Sequence, residues 1–121
     1  MKPLWGAFLV ALCFLAVPVS AGTDHYFEAL YDVPVMPGLE ELPDQAMLFD
    51  KPDGRIASVV AATKTVKEAD IRRFYGDTLA QMGWRKSAEN QYVRRGDRLS
   101  MEIAARPPLV VVHFTLEPAN P

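Results

Sequence analysis

Cysteine and histidine are scarce in this chain of 121 residues, which contains one cysteine and two histidines. Cys13 lies in an apolar N-terminal run, so the rest of the chain has no thiol for a disulfide bond or for nucleophilic chemistry. His113 is interpreted as a half-buried strand residue, and His25, near Asp24 and Glu28, as a solvated residue rather than a metal ligand. The sequence therefore predicts no metal site and no cofactor.

Sequence motifs of hydrolases and nucleotide-binding proteins are also missing. No serine lies in a G-x-S-x-G setting, and no glycine-rich loop precedes a helix. Ser58, Ser87 and Ser100 are interpreted as strand or turn residues. No residue is predicted to be catalytic, and the sequence leaves enzymatic activity undecided while favouring a protein without it.

Positive charge is not in excess, with 13 basic against 15 acidic residues and a net charge of −2. A mildly acidic domain without a basic face is a poor candidate for binding nucleic acid, so we expect no such partner. Arg94, Arg95 and Arg98 form one local basic cluster. We interpret it first as a solvated turn, and alternatively as a surface for anionic headgroups or an acidic protein.

The first 21 residues have the order that is typical of a secretory signal peptide. Lys2 precedes an apolar run from Leu4 to Val17, and small side chains follow at Ser20 and Ala21. A run of about 14 residues is roughly 21 Å of helix, which is short for a hydrocarbon core of about 30 Å. We expect cleavage between Ala21 and Gly22 and a periplasmic or secreted protein.

Residues 22–45 are predicted to form a proline-rich arm in front of one α+β domain over residues 46–118. Prolines remove ladder donors, so the arm is expected to be ordered but irregular. Its isolated hydrophobic residues, which include Met36, Leu39 and Leu42, form a possible interaction surface. We expect the arm to lie along the domain and to cover the second face of the sheet, on which we place Leu109, Val111, Val59 and Ala61.

Two strands and a tight turn are predicted at the start of the domain. Ala46 to Asp50 and Arg55 to Thr63 read as strands, and Pro52-Asp53 suits the centre of a type I turn. Gly54 is expected at the left-handed position of a bulge. Further strands are predicted over residues 84–87, 91–95, 98–105 and 109–117, and in the third of these the apolar residues alternate with polar ones.

A single long helix is predicted between the two groups of strands. Thr65 and Glu68 have the spacing of a capping box, and Gly83 is expected to end the helix in the left-handed conformation with Trp84 packed on Leu79. The apolar residues recur at helical spacing. This stripe consists of Ile71, Phe74, Tyr75, Thr78, Leu79 and Met82.

These elements predict an α+β fold in which a mainly antiparallel, twisted sheet of about five strands carries one long helix on one face. The element order is β-β-α-β-β-β, with a further strand if the segment after the helix divides in two.

Three segments resemble small uncharacterised exported bacterial proteins. They are Met36-Pro37-Gly38-Leu39, the run from Phe49 to Ile56, and the run from Phe74 through Leu79 to Gly83-Trp84. The resemblance covers most of the chain after the predicted cleavage site. It implies a periplasmic location, and it brings no functional residue because that group has no assigned activity.

The leading functional hypothesis is a non-catalytic periplasmic binding or accessory module whose partner is another envelope protein. One alternative is a small exported hydrolase or metal-dependent enzyme with a site that the sequence does not reveal. A further alternative is a protein that binds an anionic membrane surface through the arginine cluster. A concave site with converging polar groups would distinguish an enzyme from a binding module.

Overall fold

The computed structural model describes residues 25–119, so the predicted signal peptide and its cleavage site lie outside the described residues. One α-helix, one short 3₁₀ helix (Pro43–Gln45) and seven strands are present in this part of the chain, and the predicted α+β class is confirmed. Within it, no helix is long and apolar enough to cross a membrane. The elements are β1 (Glu40–Glu41), β2 (Met47–Lys51), β3 (Gly54–Thr63), α1 (Glu68–Gln81), β4 (Arg85–Ala88), β5 (Gln91–Arg94), β6 (Asp97–Arg106) and β7 (Leu109–Pro118).

All seven strands belong to one antiparallel sheet with the order β1-β3-β7-β6-β5-β4. β2 pairs with the first half of β3 and β1 with the second half, so these two short strands share one edge. β7 lies at the centre, between β3 and β6. The sheet has seven strands and not about five: the segment after the helix divides into β4 and β5, as the alternative order allowed, and only β1 was not predicted.

The β2–β3 hairpin is confirmed, with Lys51 paired to Gly54 and Pro52-Asp53 as the turn between them. Gly54 has a φ of 141°, a conformation that side chains disfavour, and a Cβ there would lie 2.9 Å from Pro118 Cγ. The predicted bulge is wrong. Pairing between the strands continues from Gly54 without a shift in register.

The start of the helix differs from the prediction. α1 begins at Glu68 after Lys67, and no side chain caps it. Thr65 does not form a capping box, because its backbone N–H and that of Val66 both donate to the hydroxyl of Thr63, at 3.1 Å. Thr63, at the end of β3, therefore organises the turn that the capping box was expected to organise.

The end of the helix follows the prediction. Gly83 has a φ of 93°, and its N–H donates to the carbonyl of Ala80. The N–H of Trp84 donates to the carbonyl of Leu79 at 3.0 Å, which completes a Schellman motif. Trp84 is thereby directed into the core, where it is almost fully buried.

The core lies between the sheet and α1, and aromatic residues form its centre. Tyr75 of α1 packs edge-on against Phe114 of β7, with ring centroids 4.7 Å apart, and Phe27 of the arm meets Phe114 at 5.6 Å. Val59 and Ala61 of β3 are fully buried on this side of the sheet. Their register with β7, in which Val59 lies opposite Phe114, places them here rather than on the second face as we expected.

The arm lies along the domain, as predicted, but beside α1 and not on the second face. Phe27 and Val33 are buried in the same core as the helix. The hydroxyl of Tyr75 donates to the carbonyl of Pro34 and accepts from the N–H of Met36, both at 2.9 Å. The expected covering of the second face is therefore wrong for most of the arm, whose buried residues are held on the helix side, and only Leu42 and Gln45 at its end border the second face.

Candidate functional site

The face of the sheet that points away from α1 is called here the open face. It carries alternate residues of β3, β7 and β6, which lie side by side in rows across the three strands. The central row contains Val60, His113 and Glu102. The row on one side is small and apolar, and the row on the other side is polar. These flanking rows are Ala62, Val111 and Ala104, and Ser58, Thr115 and Ser100.

A groove of about 470 Å³ runs over the open face. The side chains of Ala62 and Ala104, on either side of Val111, are short, and this leaves a depression in the sheet surface. Leu42, which follows β1, and Met47, the first residue of β2, also line it. The complete lining is Leu42, Gln45, Met47, Ser58, Val60, Ala62, Glu102, Ala104, Arg106, Leu109, Val111 and His113.

One hydrogen bond joins the two polar side chains at the centre of the groove. The Oγ atom of Ser58 lies 2.5 Å from the Nε2 atom of His113, and the two side chains are partly buried. β3 and β7 are neighbours in the sheet, which brings together two residues that are 55 positions apart in the sequence. Each residue lies in a strand, as predicted, but their contact was not foreseen.

Two charged side chains of β6 border the apolar part of the groove. Glu102 lies directly opposite His113, and Arg106 lies opposite Leu109. Both side chains are exposed, and within residues 25–119 neither takes part in an ion pair. The groove thus presents a negative and a positive group with an apolar stretch between them.

An exposed apolar edge adjoins the groove at β2. Met47, Leu48 and Phe49 are each 52% exposed, which is high for large hydrophobic residues in a strand. Met47 also lines the groove. Met47 and Phe49 pair with Ser58 and Ile56 and therefore extend the apolar surface of the open face, whereas Leu48 pairs with Ala57 and lies on the opposite face of the sheet.

The predicted arginine cluster is divided among separate contacts. Arg94 forms an ion pair with Asp32 at 2.6 Å and lies over the ring of Trp84, at 4.4 Å from its centroid. Arg98 contacts Glu117 at 3.3 Å, and Arg95 is exposed at the turn. Arg94 and Arg98 therefore bind acidic groups of this chain and contribute little free positive charge.

The apolar residues predicted as an interaction surface also separate. Met36 and Leu39 pack against the helix-side core, and Leu42 alone of the three lines the groove. His25 is exposed and lies 3.6 Å from Glu41. Between residues 25 and 119 no group of three histidine, cysteine, aspartate or glutamate side chains is placed to hold a metal ion.

Comparisons with protein-family models, with curated proteins and with solved structures find no match to this chain. The arrangement of side chains on the open face is therefore the basis for a functional proposal. That arrangement combines a shallow apolar groove, a partly buried hydrogen bond between Ser58 and His113, and two flanking charges of opposite sign.

Proposed function

We propose that this chain is a non-catalytic binding module of the cell envelope, whose groove on the open face binds an apolar segment of another envelope protein. The observation that carries the proposal is the groove itself. α1 and the arm cover the other side of the sheet, while on this side only Val60 and Ala62 are buried and the other residues of the three rows are partly or fully exposed. An accessible apolar surface bordered by polar groups is typical of a protein interaction site.

The charges at the groove indicate what the partner segment contains. Glu102 and Arg106 are four residues apart on β6 and share the open face, so their Cα atoms are separated by about 13 Å at 3.3 Å per residue. An extended segment lying along β6 meets both if it carries a basic and an acidic residue at the same spacing. Apolar residues between them would then contact Ala104 and Val111.

Side chains, and not strand addition, supply the binding energy in the groove. The backbone groups of β3, β7 and β6 along the groove already form the ladder with their neighbours. The hydrogen-bonded Ser58–His113 pair offers the partner one polar contact inside an otherwise apolar strip. Few direct hydrogen bonds and a small buried area favour a weak, reversible interaction.

Photo-crosslinking in the exporting cell tests this proposal. A benzoylphenylalanine at position 104 lies between the two charges, and the same residue at Gln81, on the exposed end of α1, is the matched control. We expect a discrete crosslinked product from position 104 that is weaker or missing from position 81. Glu102→Lys and Arg106→Glu should each reduce it, because each places a like charge against the partner. Equal products at both positions, unaffected by the charge reversals, would refute the proposal.

The envelope location is part of the same proposal and has its own test. It rests on the signal-peptide pattern and on the resemblance to exported proteins. Intact-mass analysis of the exported protein should give a chain that begins at Gly22. A full-length mass in the membrane fraction would show that the segment is retained.

The Ser58–His113 contact favours a second candidate, a small hydrolase. In such an enzyme His113 would accept the proton of Ser58 as the hydroxyl attacked a carbonyl group. Two observations weigh against it. Glu102 makes no hydrogen bond that would orient His113, and the strand ladders on both sides of β3 occupy the backbone N–H groups that an oxyanion hole would need.

A fluorophosphonate probe separates the two candidates. The binding module should remain unlabelled, and Ser58→Ala should leave the photo-crosslink from position 104 largely intact. Labelling of the wild type that disappears in Ser58→Ala would establish the hydrolase instead.

A further inference from the structure

We infer that the outer edge of β2 is a dimerisation edge, to which a second copy of this chain adds its own β2 in antiparallel orientation. The two seven-stranded sheets would then form one continuous sheet. This inference concerns the edge of β2 and does not depend on what the groove binds.

Among residues 25–119, the outward backbone groups of β2 have no hydrogen-bond partner. The N–H of Leu42 donates to the carbonyl of Val60 at 2.8 Å, so the even-numbered residues of β3 direct their backbone groups toward the edge that β1 and β2 occupy. Ladder bonds alternate along an antiparallel pair. Met47, Phe49 and Lys51 lie opposite even-numbered residues of β3 and therefore form the ladder bonds with β3. The residues between them, Leu48 and Asp50, direct their N–H and C=O groups outward.

The side chains of β2 leave this edge poorly protected. Proteins usually guard an edge strand with charges, proline, a bulge or a covering loop. In β2 the charged residues Asp50 and Lys51 and the adjacent Pro52 are confined to the turn end, and the pairing with β3 contains no bulge. Three large hydrophobic residues occupy the remainder of the strand, and each is half exposed.

A second copy matches this edge in one register better than in another. With Leu48 opposite Leu48 of the partner subunit, each Met47 lies opposite Phe49 of the partner subunit, so every apolar residue meets an apolar one. The outward backbone groups of Leu48 then face those of the partner's Leu48 and form two hydrogen bonds. A register centred on Phe49 would instead place Leu48 opposite the partner's Asp50 and Met47 opposite the partner's Lys51.

Such a dimer would enlarge the open face. A two-fold axis between antiparallel strands of one sheet is perpendicular to the sheet, so both open faces lie on the same side. Met47 and Phe49 point to that side, because they pair with Ser58 and Ile56 of β3. The two grooves would therefore lie on either side of a central strip formed by Met47 and Phe49 of both subunits.

Sedimentation equilibrium over a wide range of protein concentration tests the inference. We expect a monomer–dimer equilibrium in the wild type and loss of the dimer in Leu48→Lys, which would set two like charges opposite each other. Ser87→Lys, on the exposed edge strand β4 at the other end of the sheet, is the matched control and should dimerise like the wild type. A circular dichroism spectrum confirms that each variant is folded.

Cysteine substitution reports the register. In a Cys13→Ser background the chain has no other cysteine, since Cys13 is the only one. Directly opposite Cα atoms in a hydrogen-bonded pair are about 5.5 Å apart, within the range of about 4.4–6.8 Å for disulfides. Leu48→Cys should therefore form an intermolecular disulfide faster than Phe49→Cys. A monomer at every concentration, a dimer that Leu48→Lys leaves intact, or faster crosslinking at position 49 would overturn the inference.

These results are distinct from those of the groove experiment. The sedimentation data identify contacts between copies of this chain, whereas the photo-crosslink at position 104 identifies a different protein by its mass. A dimer without a crosslinked partner would support the dimerisation edge and refute binding by the groove. A crosslinked partner without a dimer would support binding by the groove and refute the dimerisation edge.

Discussion

The two faces of the sheet are made by the same strands but differ in how far their side chains are buried. On β7, Val112, Phe114 and Leu116 point toward α1 and are buried. Val111, His113 and Thr115 alternate with them and point to the open face, where they remain half exposed. One face therefore forms the core of the fold, and the other presents side chains that, apart from the buried Val60 and Ala62, remain accessible.

The largest expected difference between the faces is in the loss of stability caused by substituting two adjacent residues of β7. Phe114→Ala should lower the free energy of unfolding by about 3–5 kcal/mol, because it opens a cavity among Tyr75 and Phe27. His113→Ala removes one hydrogen bond on the open face and should cost less than about 1.5 kcal/mol. Urea denaturation of both variants measures the contrast. Similar losses would show that the open face contributes to the core.

The next effect concerns the residue that fastens the arm to the helix. Tyr75→Phe should cost about 1–3 kcal/mol, because the N–H of Met36 and the carbonyl of Pro34 both lose the partner that Tyr75 supplies. Hydrogen exchange should rise more in the arm than in β7. Unchanged exchange of the arm would mean that it is held in another way.

The same tyrosine predicts a dependence on pH. Burial raises the pKa of Tyr75 well above its ordinary value, although its hydrogen bond with Met36 acts in the opposite direction. The folded state therefore disfavours the phenolate form of Tyr75. The contribution of Tyr75 to the free energy of unfolding should be intact below about pH 10 and should fall as the pH rises further. In Tyr75→Phe, the part of the stability loss at alkaline pH that comes from ionisation of Tyr75 should be absent. Parallel curves for the two proteins would contradict the assignment.

A smaller effect is expected at the end of the helix. Gly83→Ala should cost about 1–2 kcal/mol, since a Cβ is unfavourable at the positive φ of Gly83. The space itself is open enough, because the nearest atom to that Cβ is Arg94 Cδ at 3.7 Å. Gly83→Asn is the control and should cost less, as asparagine tolerates this conformation better. An unchanged denaturation midpoint in Gly83→Ala would exclude a conformational role.

The smallest effect on stability is expected on the open face. Val111→Lys introduces a charge into the apolar row of the groove, where the long side chain can reach solvent. It should change the free energy of unfolding by less than about 1 kcal/mol. A loss as large as that of Phe114→Ala would show that Val111 belongs to the core.

Local signals predicted most of the fold. The turn at Pro52-Asp53, the left-handed Gly83 and the alternation in β6 each depend on a few adjacent residues. The structure confirms the first two, and it confirms the alternation from Leu99 to Ile103 but not at Ala105, which is exposed. The capping box at Thr65 failed although its spacing was correct. Thr63 competes for the same N–H groups, and its position depends on where β3 ends.

The site was less predictable because it depends on the register between strands that are distant in sequence. Alternation along β7 places His113 beside Val111 on one face, but it does not tell which residue of β3 lies opposite. The pairing of β3 with β7 decides that Ser58 reaches His113 and that Val59 is buried. The position of the arm has the same origin, since the contact of Tyr75 with Pro34 spans 41 residues.

A paired measurement on Val111→Lys examines whether the open face serves binding and contributes little to stability. The photo-crosslink from position 104 and the free energy of unfolding are measured for Val111→Lys and for the protein with the wild-type residue at position 111. We expect loss of the crosslinked product while the free energy of unfolding stays almost unchanged. An undiminished crosslink in a folded variant would refute the proposed binding role of the open face.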